Sequence, residues 1–281
     1  MQKLSGGVSL STKCSRIAQK IEMLRRQFDG SWLVCATATG SYWIYDEKWY
    51  LITNWHNLTG CDPEKETALS SSGAVPTHVR VRFLHNITVD GKSAFGWSTH
   101  ELSLYEEDGK PLWFEHPVFG RKVDVAALAI FNYDPTDATV ASLAVNKHDD
   151  WFDLRLNPGD DCFVLGYPGG YSGGFHFPLW KRASIASEPS IDLDSLPKLL
   201  VDTATRKGMS GAPVVAISNG WHVPKGKDIN DAVFGRVEKF IGIYSGRTDA
   251  DENLSIGTVW KEQVIEEIIR KKHTGFNPLQ P

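Results

Sequence analysis

Apolar residues along most of this chain fall into short runs that alternate with polar positions, and only the two ends depart from that pattern. Near the start, Ile17, Ile21, Leu24 and Phe28 recur at helical spacing, and Asp29-Gly30 supplies a stop signal; this predicts one helix over residues 14–28. From Ser31 onward the pattern changes to runs rich in β-branched and aromatic residues: SWLVCATATG, SYWIY, WYLITN, HVRVRFL, HELSLY and DVAALAIF. Polar or glycine-containing turns bound them, and Asp46-Glu47-Lys48 reads as a hairpin turn between SYWIY and WYLITN. A polar bridge, NYDPTDA and NKHDDWFDLRLNPGD, leads to a second set of strands: DCFVLGY, KRASIAS, PKLLVDTA, APVVAIS, FIGIYSG and SIGTVW. The chain closes with KEQVIEEIIRKK, an amphipathic helix carrying Val264, Ile265, Ile268 and Ile269 on one face.

Many short strands at intervals of roughly 8–12 residues indicate an all-β architecture of antiparallel barrels or sandwiches rather than βαβ units. The 281 residues suffice for two compact subdomains. Thirty basic against thirty-four acidic residues give a formal charge of −4, which points to no nucleic-acid groove and no anionic membrane partner. The longest fully apolar run, VAALAIF, is too short to span a bilayer, and the first twenty residues lack a signal-peptide core. A cytoplasmic protein is therefore expected. Cys14, Cys35, Cys61 and Cys162 form no C-x-x-C pair and read as buried small hydrophobes. The histidines show no ligand spacing, so neither metal nor cofactor is expected.

Two serines compete for a chemical role. Ser172 lies in Gly170-Tyr171-Ser172-Gly173-Gly174, a full match to the G-x-S-x-G nucleophile elbow. That elbow needs a strand running into the serine and a helix running out. Here Pro168-Gly169-Gly170 intervenes, and GFHFPLW has neither helical period nor helix formers, so a glycine-rich surface loop is the better account. Ser210, in Gly208-Met209-Ser210-Gly211-Ala212-Pro213, has small neighbours that let the backbone turn sharply and aim the N–H groups of Gly208 and Ser210 at one point. Two convergent donors are what an oxyanion hole requires. A base is offered by His56, just past the apolar run WYLITN, and an orienting acid by Asp124 at the head of DVAALAIF.

The order His56, Asp124, Ser210, with LITNWH, DVAALAI and GMSGAPVV, resembles the chymotrypsin/trypsin family, nearest its bacterial trypsin-like and Deg-type members, without a PDZ domain. The resemblance runs from about Ser31 to the C-terminal helix. It implies two six-stranded antiparallel barrels: residues 29–145 with His56 and Asp124, and residues 146–258 with Ser210. Residues 1–28 would form an N-terminal helical extension and residues 259–281 a C-terminal helix and tail. It also implies a serine endopeptidase acting on protein or peptide substrates. The pocket for the substrate side chain would take its floor from Ala204, six residues before Ser210, and its walls from Ser245, Gly246, Arg247 and Gly257. Met209 stands where the family places an aspartate that pairs with a freed amino terminus, so activation by zymogen cleavage is not expected. The acidic run 249–253 would rim the pocket, and residues 216–239 would make an unusually long connection near the cleft. Glu115 and His116 read as a turn before Pro117.

Overall fold

The turn at Asp46-Glu47 sets the first sheet. In the computed structural model, which describes residues 12–70, 73–131, 134, 137–247 and 255–279, these two residues take φ of +50° and +55°. Two successive left-handed residues make the tight turn whose twist suits antiparallel strands. It joins β2 (Trp32–Tyr45) to β3 (Lys48–Thr53), pairing Tyr45 with Lys48 and Ser41 with Ile52. Asp90-Gly91, again both left-handed, joins β4 (His78–Val89) to β5 (Lys92–Ser103). With β1 (Ala18–Arg26), β6 (Trp113–Glu115), β7 (Ala126–Ile130) and β14 (His273–Thr274), they form an eight-stranded antiparallel sheet ordered β14-β6-β7-β3-β2-β1-β4-β5.

The second set of runs forms β8 (Asp161–Gly166), β9 (Leu179–Ile185), β10 (Lys198–Asp202), β11 (Pro213–His222), β12 (Val233–Arg247) and β13 (Ile256–Lys261). These close into a six-stranded barrel ordered β10-β13-β12-β11-β8-β9. The first sheet thus departs from the expected six strands, because both ends of the chain add to it. The helix α2 (Gln263–Lys271) buries Val264, Ile265, Ile268 and Ile269, the face read from the sequence. One continuous core joins the two halves: Tyr50, Ile52 and Ala127 of the first sheet pack with Leu165, Val215 and Ile243 of the barrel and Ile268 of α2.

The N-terminal helix expected over 14–28 is absent. A single 3-10 turn, Lys13–Arg16, is followed by β1, which pairs with β2 along its whole length. Ile21 and Met23 face the core, while Lys20 and Glu22 face outward, where Glu22 meets Arg80 at 2.9 Å and Arg82 at 3.6 Å. Burial alone would raise the Glu22 pKa, but the Arg80 hydrogen bond and the charges of Arg82 and Lys20 outweigh it and lower it. The pairing with β2 shifts register between Met23 and Leu24, Cys35 being the extra residue on β2, and Leu24 is buried as well. Two successive buried apolar residues, Met23 and Leu24, produce the Ile21–Leu24 spacing that mimics a helix. Phe28, counted as part of the apolar stripe, is fully exposed.

The expected long connection over 216–239 is mostly the outer half of a hairpin. β11 and β12 stay paired from Pro213–Ile243 to His222–Val233, leaving only residues 223–232 as the turn. It carries Trp221 and Phe234 into solvent with their rings 5.2 Å apart.

After α2 the chain returns to the first sheet, where β14 pairs with β6. Beyond it Asn277, 3% exposed, donates from Nδ2 to the Thr59 carbonyl (3.2 Å) and to the Tyr105 hydroxyl oxygen (2.8 Å). Asn277→Ala strands two buried acceptors and is expected to cost about 1–3 kcal/mol in urea unfolding. An unchanged unfolding midpoint would show that the tail is not docked in solution.

Candidate active site

β3 runs directly into α1 (Trp55–Thr59), a single helical turn that carries His56. Gly60, at φ +66°, stops the turn, and a Cβ there would lie 2.7 Å from Pro76 Cδ. Trp55 is fully buried and donates its Nε1–H to Glu115 Oε2 at 2.9 Å. Glu115 also accepts the backbone N–H of Phe276, so it anchors both α1 and the chain's tail. His116 is likewise buried and bonds Glu267 of α2 at 2.7 Å. The pair expected in a simple turn is therefore an internal latch.

Asp124 sits behind His56 with 5% of its surface exposed, and its carboxylate is saturated with donors. Oδ1 accepts the backbone N–H of His56 at 2.9 Å, and Oδ2 pairs with His56 Nδ1 at 2.7 Å. Ser245 donates its hydroxyl to the same Oδ2. Asn54 fixes the Asp124 backbone by donating from Nδ2 to its carbonyl at 2.6 Å. A carboxylate at Nδ1 places the imidazole proton there and leaves Nε2 as the free lone pair. Burial pulls the His56 pKa down, but the charge and hydrogen bond of Asp124, helped by Asp62, outweigh it and leave the pKa above the ordinary histidine value.

Ser210 lies on the segment between β10 and β11, where two glycines shape the backbone. Gly208 has φ +97° and Gly211 φ +83°. A Cβ on Gly211 would lie 2.1 Å from the Thr39 carbonyl oxygen and 2.3 Å from Thr53 Oγ1; one on Gly208 would lie 2.3 Å from the Tyr167 carbonyl oxygen. The segment is pressed against the first sheet. Thr39 N–H donates to the Ser210 carbonyl at 2.9 Å, and Asn57 Nδ2 reaches the same oxygen at 3.4 Å. Thr39 Oγ1 donates to the Gly208 carbonyl at 2.8 Å. The N–H groups of Met209, Gly211 and Ala212 donate to the carbonyls of Arg206, Tyr244 and Met209. Among the described residues those of Gly208 and Ser210 have no protein acceptor. No hydrogen bond joins the His56 ring to the Ser210 hydroxyl among the described residues; catalytic hydrogen bonds are often long or poorly aligned without substrate.

Gly211→Ala should disrupt this join, since both the left-handed φ and the contacts at 2.1 and 2.3 Å exclude a methyl group. We expect it to be among the most damaging small substitutions, beyond ~3 kcal/mol, the range of severe single changes. A thermal melt within a degree of the parent would contradict this packing.

Residues 38–223 match the description of a trypsin-like peptidase domain. The chain belongs to the trypsin-like peptidase family. Comparison with curated proteins finds no match. Among solved structures it is similar to an inactive form of Rv3671c from M. tuberculosis H37Rv carrying a serine-to-alanine change: 16% identity, TM-score 0.43, covering 95% of this chain and 94% of that one. A second inactive form of the Rv3671c protease gives 16% identity and a TM-score of 0.42, covering 96% and 98%.

The remaining sequence-predicted residues of this peptidase domain are placed unevenly. Ser245, expected on a pocket wall, turns its hydroxyl onto Asp124 instead. Gly246 follows at a register shift in β12, and Arg247 stands opposite Gly257 of β13. Ala204 is exposed, while Thr203 and Thr205 on either side are buried, so the expected floor residue faces outward. Gly257 is covered by the ring of Tyr244, a residue that sequence reasoning passed over because an aromatic in an apolar strand reads as core. Met209 is buried among Val201, Val214 and Val259. Ser172 is exposed in the loop between the 3-10 turn Pro168–Gly170 and β9. The acidic run 249–253 lies outside the described residues.

Cys14 is more than a core filler. Its Sγ donates to Glu238 Oε2 at 2.8 Å and lies 3.6 Å from His148 Nε2. His148 Nδ1 accepts the Asp150 backbone N–H, which puts the imidazole proton on Nε2, the atom facing the cluster. Arg236 holds the other Glu238 oxygen at 2.6 Å. The trio is thus closed by its own hydrogen bonds. Burial and Glu238 push the Cys14 thiol pKa far up. Among the described residues no helix is long and apolar enough to cross a membrane.

Proposed function

We propose that this chain is a serine endopeptidase that cleaves protein or peptide substrates through an acyl-enzyme. The cleft would lie between the sheet carrying His56 and Asp124 and the barrel carrying Ser210. Ser210 Oγ attacks the scissile carbonyl carbon while His56 Nε2 takes its proton. The carbonyl oxygen, now an anion, is held by the N–H groups of Gly208 and Ser210. His56 then gives its proton to the leaving amine as the C–N bond breaks, leaving the acyl group on Ser210. A water activated by His56 repeats the sequence and frees Ser210. Asp124 keeps the Nδ1 proton in place and stabilises the imidazolium without being protonated itself.

The observation that carries this reading is the state of the Ser210 segment. Of the five consecutive N–H groups from Gly208 to Ala212, the Gly208 and Ser210 pair lacks a protein acceptor among the described residues. Two such donors flanking a serine are suited to a developing oxyanion, where each contributes about 3–4 kcal/mol to the transition state. A second reading, a binding module on the same fold without turnover, is favoured by the lack of a hydrogen bond between the His56 ring and the Ser210 hydroxyl among the described residues. A fluorophosphonate probe separates the two: a working site is covalently labelled at Ser210, and a silent one is not.

A further inference from the structure

We propose that the Tyr244 phenol closes the side-chain pocket beside Ser210, so that the peptidase selects substrates with glycine, alanine or serine immediately before the scissile bond. This rests on the serine-peptidase reading above. Tyr244 is tied to the nucleophile segment at both backbone atoms: its N–H donates to the Ala212 carbonyl at 2.8 Å, and its carbonyl accepts the Gly211 N–H at 2.9 Å. The next residue, Ser245, is bonded to Asp124. Residue 244 therefore stands directly beside the reacting serine. The trypsin-like resemblance would place a substrate side chain between the segment leading to Ser210, residues 244–246 and β13 at Gly257.

The Tyr244 ring lies between those walls. A Cβ built on Gly257 would lie 2.4 Å from Tyr244 Cε2 and 2.9 Å from its Cζ, so the ring rests on the glycine backbone. Its hydroxyl bonds the Thr205 hydroxyl. The phenol thus spans from β12 across β13 to the segment leading to Ser210, and touches all three walls. It is 1% exposed and packs in one cluster with Val201, Met209 and Val259. Swinging it out would break the Thr205 bond and leave a void in a close-packed barrel core, so a substrate cannot displace it cheaply. Glycine at 257 is what allows the ring to lie there, since any larger residue would collide with it. A leucine or phenylalanine side chain on the substrate would meet the phenol edge, whereas a methyl or hydroxymethyl group would stop short of it.

The test is a set of fluorogenic peptides identical except for alanine, serine, leucine or phenylalanine before the cleaved bond. They are assayed with the full chain, with Tyr244→Val and with Tyr244→Phe. In the parent, kcat/KM should favour alanine over phenylalanine by on the order of 100-fold, the scale on which pocket size discriminates. Tyr244→Val should erase at least tenfold of that preference through a gain on the phenylalanine peptide. Tyr244→Phe, which keeps the bulk and loses only the hydroxyl, should retain the parent's preference. If Tyr244→Val fails to fold, the parent profile and Tyr244→Phe still decide. Comparable cleavage after phenylalanine and alanine by the parent overturns the inference. So does a Tyr244→Phe variant that admits the large side chains, or a folded Tyr244→Val variant that gains nothing. Fluorophosphonate labelling of the parent distinguishes the two levels: labelling with a large-residue profile sinks this inference alone, whereas no labelling and no cleavage sink the peptidase reading and this inference together.

Discussion

Ser210→Ala is expected to abolish fluorophosphonate labelling and to lower peptide hydrolysis by on the order of 10⁶-fold, the effect of deleting a serine nucleophile. The fold should survive, because the contacts that seat this residue run through its backbone. Thr39 N–H and Asn57 Nδ2 both address the Ser210 carbonyl, which alanine retains. Thermal melting of the variant should therefore match the parent, separating loss of chemistry from loss of structure. A residual rate of 10³–10⁴ over water would remain from the N–H donors and substrate binding. Ser172→Ala should change neither labelling nor turnover, since Ser172 is exposed in a glycine-rich loop. Labelling that persists in Ser210→Ala and disappears in Ser172→Ala would reverse the roles of the two serines.

The second barrel was legible strand by strand except in the outer halves of β11 and β12, whose polar residues read as a long connection over 216–239. In the first sheet β2, β3, β4, β5 and β7 were legible, and β1, β6 and β14 were not. β1 does not read as a strand because Met23 and Leu24 are consecutive apolar residues, both buried, and the Ile21–Leu24 spacing imitates a helical stripe. β6 and β14 have three and two residues, too few for any period to show. β6 is held by its pairing with β7, and β14 forms where α2 delivers the tail to the sheet edge, a long-range event with no local signal. At the candidate site, His56, Asp124 and Ser210 are proposed from order and flanking residues, and the structure brings His56 and Asp124 together. The orientation of their neighbours was not legible. Ser245 and Tyr244 are adjacent in sequence, yet one hydroxyl faces Asp124 and the other Thr205. Only the alternation of β12, fixed by its pairing with β11 and β13, decides which does which. Ala204 was counted onto the pocket floor by position alone, but its buried neighbours Thr203 and Thr205 hold the inward positions.

Asp124→Asn should lower kcat/KM by on the order of 10⁴-fold, with little change in folding. The geometry gives the reason. Oδ1 of Asp124 accepts the fixed backbone N–H of His56, so an asparagine must put its carbonyl oxygen at that position. Its amide NH₂ group then faces His56 Nδ1 as a donor, where the carboxylate had been an acceptor. The imidazole is forced to carry its proton on Nε2, the atom that should accept the Ser210 proton. The same substitution bears on pH. In the parent, burial opposes the charged ring, but Asp124 and Asp62 overcome it and raise the His56 pKa. kcat/KM should therefore climb as pH rises through a single ionisation above the ordinary histidine value of ~6.5, as the ring loses its proton and becomes a base. Stability runs the other way. A raised folded pKa contributes stability that is complete below ~6.5 and is lost as pH rises through the folded value, so the enzyme gains activity where it gives up this attraction. In Asp124→Asn the main opposing charge is gone, burial dominates, and the ionisation should move below the parent's. NMR titration of His56 in the Ser210→Ala background reads both midpoints without turnover. A parent midpoint at or below ~6.5, left unmoved by Asp124→Asn, would show that this carboxylate does not govern the ring.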